Sequence, residues 1–184
     1  MKTTGTNFLK QNKNILLLAL GVASILLLLW LAMQFTGTVA WTSFDFAVAG
    51  TLLFGTGLAF ELVRRKSGNL MYRAAAGVAL ATALFLIWVN IAVGIIGSED
   101  NPANRMYLGV LAILVMGALV ARFRPLGMAR VLFATALAQA VVTAIALIDE
   151  PHPEVLEMML LNGFFIALWA GSGWLFLRAH AAQN

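Results

Sequence analysis

The sequence predicts an all-α membrane protein, a bundle of six transmembrane helices with both termini in the cytoplasm. Of the 184 residues, 61% are hydrophobic and only 11% are charged, a balance that a water-soluble domain of this size does not carry. Six apolar runs approach or reach the length that a helix needs to cross about 30 Å of hydrocarbon. Lys and Arg are concentrated in alternate breaks between these runs, which sets the orientation.

The six predicted spans are separated by charged or proline-containing breaks. All four prolines fall in these breaks, where a missing N–H does not interrupt a helix. The first run follows three lysines but is longer than the apolar part of a secretory signal, so we expect it to remain as a helix. The chain is predicted to form a single transmembrane domain, 1–184, with spans at about 15–35, 44–63, 73–96, 106–121, 128–148 and 155–177.

The charged residues divide between the two sides of this topology. All of the 12 Lys and Arg residues except Arg105 fall on one side, which the positive-inside rule makes cytoplasmic. The acids, apart from Glu61, lie on the outer side or near its interface. Membrane insertion alone produces such an asymmetry, so the acidic outer face is either a by-product of topology or a contact surface. The basic inner face suits anionic lipid head groups, and no nucleic-acid partner is predicted.

Two stretches of the chain resemble each other. Residues 62–84 align with 119–141, matching Leu62 to Leu119, Arg65 to Arg122 and Arg73 to Arg130. Each copy is a helix, a basic turn and a returning helix, followed by an acidic loop, "SEDNP" or "DEPHP". The match is compatible with duplicated helical hairpins and equally with chance similarity between alanine-rich helices.

Small residues recur at every fourth position in two of the predicted spans. Such stripes let helix backbones approach closely in lipid, and we expect them to pack the bundle itself. They are Ala47, Thr51, Gly55 and Ala59 in the second span, and Gly163, Ala167 and Gly171 in the sixth.

A few polar side chains lie within the predicted spans. Asn90 and Asn162 are each about two turns from the outer ends of their spans, so they can meet at a similar depth. Thr135, Gln139 and Thr143 share one face of the fifth span at intervals of four. These groups predict either hydrogen bonds between helices or a polar vestibule that opens to the outer side.

The two acidic outer loops contain the types of residue that bind metals. Carboxylates with one imidazole suit a divalent cation such as Mn²⁺, Zn²⁺ or Ca²⁺, although the prolines can equally serve only to shape a turn. No cofactor is predicted, and a divalent cation is kept as an alternative. The candidate ligands are Glu99, Asp100, Asp149, Glu150, His152 and Glu154.

Catalysis and ion-coupled transport have little support in the sequence. The chain has no cysteine and no nucleophile-elbow, phosphate-loop or dinucleotide motif. No ionisable residue lies near a predicted membrane midplane, where proton relays and ion-coupled transporters usually need one. A membrane enzyme acting on a lipid or quinone would need acid and base groups from the outer loops, and these show no defined pairing.

Three segments resemble those of a group of small bacterial integral-membrane proteins. They are "DFAVAGTLLFGTGLAFELVRR", "WVNIAVGIIGSEDNPANRMY" and "ARFRPLGMARVLFATALAQAVV", within residues 45–148, and the WVN-AVGIIGSEDNPAN-type segment is the most specific. The resemblance implies a bacterial source and a location in the cytoplasmic (inner) membrane. It transfers no activity and no functional residue.

We therefore expect a non-enzymatic multi-pass membrane protein that acts through its acidic outer face. The loops "GSEDNPAN" and "DEPHPEVLE" would contact a partner, a lipid head group or a cation. The alternative is a small transporter or channel subunit with a polar path lined by Asn90, Gln139 and Asn162. Beyond the lipid bilayer, the expected partners are a second copy of the chain or another membrane protein.

Overall fold

The structure is a computed structural model that describes residues 4–36, 41–149 and 155–182. Within these ranges it is all-helical, and six helical segments are long and apolar enough to cross a membrane, the fourth when its preceding 3-10 turn is included. This confirms a multi-pass helical membrane protein, while orientation and hairpin duplication stay predictions. The helices are α1 Thr4–Thr36, α2 Ser43–Lys66, α3 Leu70–Ala92, α4 Met106–Val120, α5 Pro125–Asp149 and α6 Val155–Ala181, with a 3-10 helix at Pro102–Arg105.

The chain divides into two compact units, Met1–Lys66 and Ser67–Asn184, and each is described by itself. In the first unit, α2 begins with a reciprocal cap. The Asp45 backbone N–H donates to Thr42 Oγ1 at 3.3 Å, and the Thr42 backbone N–H donates to Asp45 Oδ2 at 2.7 Å. This exchange satisfies amides that have no partner inside a helix.

The two helices of the first unit are linked by a polar cluster near the end of α2. Glu61 is largely buried and forms ion pairs with Arg64 at 2.7 Å and Arg65 at 2.8 Å. Asn14 of α1 donates to the same carboxylate at 3.2 Å. The only acid predicted among the cytoplasmic bases is therefore neutralised by its own helix and fixed to α1.

In the second unit, the packing order of the helices differs from their order in the chain. The α6 helix packs between α3 and α5, and α5 packs between α6 and α4. A buried hydrogen bond from Ser172 Oγ to the carbonyl of Ala75, 2.8 Å long, joins α6 to α3. At the α5 contact, the absence of a side chain at Gly173 leaves room for the backbone, because a Cβ there would lie 3.3 Å from the carbonyl oxygen of Ala129.

The turn between α4 and α5 has an unusual backbone. Arg122 and Phe123 have φ angles of 50° and 58°, in the left-handed region that non-glycine residues seldom adopt. The Tyr72 hydroxyl of α3 donates to the carbonyl oxygen of Phe123 at 2.7 Å. This hydrogen bond holds the strained turn against α3.

Most residues of the small-residue stripes are exposed within their own units, and a role of the stripes in packing the whole bundle stays a prediction. Gly163, Ala167 and Gly171 are exposed on α6, and a Cβ added to either glycine would meet nothing within 4 Å. In α2, Gly55 is likewise exposed with open space around it. Close approach occurs instead at other glycines, such as Gly117, where a Cβ would lie 2.7 Å from Val131.

Candidate functional site

The connection between α3 and α4 is organised around one buried side chain, Asn104, which is only 4% exposed. The backbone N–H groups of Ile95 and Ile96 donate to Asn104 Oδ1 at 3.0 and 2.9 Å. Asn104 Nδ2 donates to the carbonyl oxygens of Ile96 and Ser98 at 3.2 and 2.7 Å. One amide side chain thus satisfies the backbone of a loop whose two isoleucines are buried, in place of the ladder that a helix would provide.

Two glycines and a capped 3-10 turn complete this loop. Gly94 has φ +75°, and a Cβ there would lie 2.5 Å from the carbonyl oxygen of Ser98, so α3 ends at Ala92 and not at residue 96 as expected. Gly97 has φ +64°. Asn101 Oδ1 accepts from the Ala103 N–H at 2.9 Å and caps the 3-10 helix that Pro102 begins. The "GSEDNPAN" segment is therefore a folded loop with a defined shape.

The predicted metal ligands are only partly described by the structure. Glu99 and Asp100 are exposed. Glu150, His152 and Glu154 lie outside the described residues, as does the side chain of Asp149. Within the part of the chain that the structure describes, no three Asp, Glu or His residues form a metal-binding group. A cation held between the two loops stays a prediction.

The predicted polar residues of α5 and α6 do meet. Gln139 Nε2 donates to Asn162 Oδ1 at 2.8 Å, and the Tyr107 hydroxyl of α4 donates to the same oxygen at 3.0 Å. Asn162 Nδ2 donates to the carbonyl of Met158, one turn earlier, at 2.9 Å. All three interacting side chains are at most 1% exposed. The network joins α4, α5 and α6 in the interior of the second unit.

The other polar groups around this network bond within their own helices or have no hydrogen-bond partner among the described residues. Thr135 Oγ1 donates to the carbonyl of Val131, and Thr143 Oγ1 to that of Gln139, both at 2.9 Å. Gln139 Oε1 and Trp169 Nε1 are buried and have no hydrogen-bond partner among the described residues. The arrangement therefore resembles hydrogen bonding between packed helices, and the bonded side chains do not line an open vestibule.

Asn90 lies apart from this network, beside a small cavity between α3 and α4. The cavity is about 60 Å³ and is lined by Asn90, Tyr107 and five aliphatic side chains. Asn90 Oδ1 is buried and has no partner in the described ranges. The structure therefore shows no hydrogen bond between Asn90 and Asn162, and Tyr107 is the residue that both lines the cavity and bonds Asn162.

Sequence reasoning missed two of these residues, Tyr107 and Asn104. Tyr107 lies at the start of α4, where an aromatic residue is ordinarily read as part of an interfacial belt, yet it is 1% exposed and points inward. Asn104 is one of two amides in a polar loop and does not stand out in the sequence. A usable signal is its position two residues after Pro102, in a polar segment that follows two glycines and two isoleucines.

Comparisons of the chain with protein-family models, with curated proteins and with solved structures gave no match. The class of the protein therefore rests on its own helices and polar groups.

Proposed function

We propose that this chain is a non-enzymatic protein of the bacterial cytoplasmic membrane that acts through its outer face, with the folded loop of residues 94–105 as its contact element. The main observation in support of this proposal is that the Asn104 side chain makes four hydrogen bonds to the backbone of the loop. A connection that only had to reverse the chain would not need a buried amide and two left-handed glycines. A loop that is ordered before binding loses little conformational entropy when it binds.

The chemistry of this loop favours a cationic or hydrogen-bond-donating partner. Glu99 and Asp100 are exposed at its tip, and within the described part of the chain neither forms an ion pair. The resemblance to small bacterial membrane proteins supports the inner-membrane location. A membrane protein with a basic outer segment is the partner that best fits this loop, and a second copy of the chain is the alternative.

The orientation on which the proposal depends can be tested directly. The chain has no cysteine, so Ser98→Cys and Gly68→Cys each introduce a single exposed thiol in one of the loops that flank α3. A membrane-impermeant maleimide should label Ser98→Cys in intact cells and Gly68→Cys only after the membrane is opened. The reverse pattern would place the loop in the cytoplasm and end the outer-face proposal.

The contact itself can be tested with a photo-crosslinking residue at position 98. We expect one specific adduct that weakens in the double variant Glu99→Gln, Asp100→Asn and in Asn104→Leu. The charge-conserving swap Glu99→Asp with Asp100→Glu is the matched control and should leave most of the adduct. Equal loss in the swap would show that the partner does not recognise the charges of these two residues, and an adduct indifferent to all these changes would refute the proposal.

The second candidate is a small transporter or channel subunit, and the unpartnered Asn90 Oδ1 beside a cavity favours it. The small cavity and the mutual bonding of Gln139 and Asn162 leave no open path in the described part of the second unit, so gating would have to break these bonds. Solute flux in liposomes that Asn90→Leu abolishes would support this candidate. Unchanged flux with all three amides replaced would exclude it.

A further inference from the structure

The cavity between α3 and α4 is bordered by two helices that do not pack closely on each other. The α3 helix packs against α6 and α4 against α5, which leaves a cleft where the two helices meet the loop of residues 94–105. Ile91 and Leu108, at the rim of this cleft, are 59% and 62% exposed. The cavity is thus continuous with an exposed apolar surface.

The cleft lies at the ends of α3 and α4 that adjoin the loop of residues 94–105. Asn90 lies two residues before the end of α3 and Tyr107 one residue after the start of α4, which places both within about 3 Å of their helix ends at 1.5 Å per residue. Ile87 and Leu111 line the cavity one turn deeper on the same helices. The polar groups of the cleft therefore lie near the loop, and its apolar lining extends along the two helices away from the loop.

The hydrogen-bonding groups of the cleft define what can enter it. Asn90 Oδ1 is a buried acceptor without a partner in the described ranges. The Tyr107 hydroxyl hydrogen is engaged in the hydrogen bond to Asn162, so Tyr107 cannot also donate a hydrogen bond to a ligand. A ligand that satisfies the buried oxygen of Asn90 must therefore supply a donor. A charged head group would have to leave water for neutral partners at high cost, which favours a neutral hydroxyl.

We propose that this cleft binds a neutral lipid with a free hydroxyl, whose O–H donates to Asn90 Oδ1 while its acyl chains lie along Ile87 and Leu111. The volume agrees with this assignment. A cavity of about 60 Å³ has room for a group the size of about two water molecules, such as a terminal CH₂–OH. The chains need no enclosed space, because they remain on the exposed apolar surface.

The test is to titrate the purified full chain in detergent with 1,2-dioctanoylglycerol and, separately, with its 3-O-methyl ether, and to count bound lipid by native mass spectrometry. The ether keeps the acyl chains and the oxygen but carries a methyl group in place of the hydroxyl hydrogen, so it cannot donate, and the Asn90→Leu variant separates this loss from the added size. The wild type should bind the free alcohol on the order of fivefold more tightly, the size of one hydrogen bond between neutral groups. Equal binding of the two lipids would show a groove for hydrocarbon alone and overturn the proposal, as would no binding of either.

Two variants and one control separate the hydroxyl contact from simple packing. Asn90→Leu should bind both lipids equally, and it should fold normally because the lost oxygen has no partner among the described residues. Leu111→Trp should fill the cavity and weaken the binding of both lipids. Leu119→Trp makes the same change at an exposed position on α4 and should bind as the wild type does. A hydroxyl preference that survives Asn90→Leu would refute the role of Asn90.

Discussion

Replacing Asn104 with leucine keeps the size of the side chain and removes all of its hydrogen bonds. Two bonds come from the N–H groups of Ile95 and Ile96, which are 4% and 1% exposed, so water does not readily replace them. Two more go to the carbonyl oxygens of Ile96 and Ser98, and Ser98 is exposed enough to bond water instead. The two buried amides therefore carry most of the loss.

At about 1–2 kcal/mol for each buried amide left without a partner, Asn104→Leu should destabilise the loop by about 2–4 kcal/mol. Each 1.4 kcal/mol of lost stability speeds exchange about tenfold when the loop opens locally. The Ile95 and Ile96 amides should therefore exchange about 30- to 700-fold faster in Asn104→Leu than in the wild type. The measurement is hydrogen–deuterium exchange on the protein in bicelles. The unfolding free energy of the whole unit should fall by less if the loop can open while the helices stay packed.

The matched control is Asn101→Ala in the same loop. Asn101 makes one capping bond, to the Ala103 N–H at 2.9 Å, so its loss should cost only about 1 kcal/mol and should leave the Ile95 and Ile96 amides protected. If Asn104→Leu changes their exchange by no more than Asn101→Ala does, Asn104 does not organise the loop. The contact surface proposed above would then lose its structural basis.

Three further changes test the interior of the second unit, each by reversible unfolding in bicelles. Asn162→Leu leaves two buried donors without an acceptor and should lower the free energy of unfolding by about 2–4 kcal/mol. A smaller loss than that of Gln139→Leu would show that Asn162 is not the centre of the network. Gln139→Leu removes one bond together with an oxygen that has no partner among the described residues, so it should cost less than about 1 kcal/mol. Gly94→Ala combines a φ of +75° with a backbone clash and should cost at least about 1–2 kcal/mol. Gly109→Ala, with open space around it, is its control and should be neutral or slightly stabilising.

The number and type of helices could be predicted because the length of an apolar run reports directly on its fit to a bilayer. The position at which α3 ends could not be predicted from the sequence. Ile95 and Ile96 are apolar and buried, and hydropathy reports burial without distinguishing a helix from a folded loop. Only the left-handed Gly94 and the Asn104 side chain make the difference, and the hydrogen bonds of Asn104 join residues six to nine positions apart in the chain.

The polar cluster was predicted in part for a related reason. Gln139 and Asn162 stand out because amides are rare in apolar helices, and they do bond. Tyr107 did not stand out, because α4 is apolar on every side and gives no periodic signal for which face turns inward. The neighbours of each helix were equally hidden from the sequence, since in lipid the pairing depends on shape at particular small residues such as Gly117 and Gly173.

The packing order of the second unit has a consequence for its biosynthesis. Asn69, which caps α3, bonds the carbonyl of Ala179 at a separation of 110 residues, and Ala75 bonds Ser172 at a separation of 97. At about 5–20 residues per second, the translating ribosome needs several seconds or more to supply α6 after α3 has emerged. During that interval α3 lacks the helix that it packs against most extensively, so the face that α6 will cover has to be shielded by other molecules or helices. Assembly of the second unit therefore waits for its last helix.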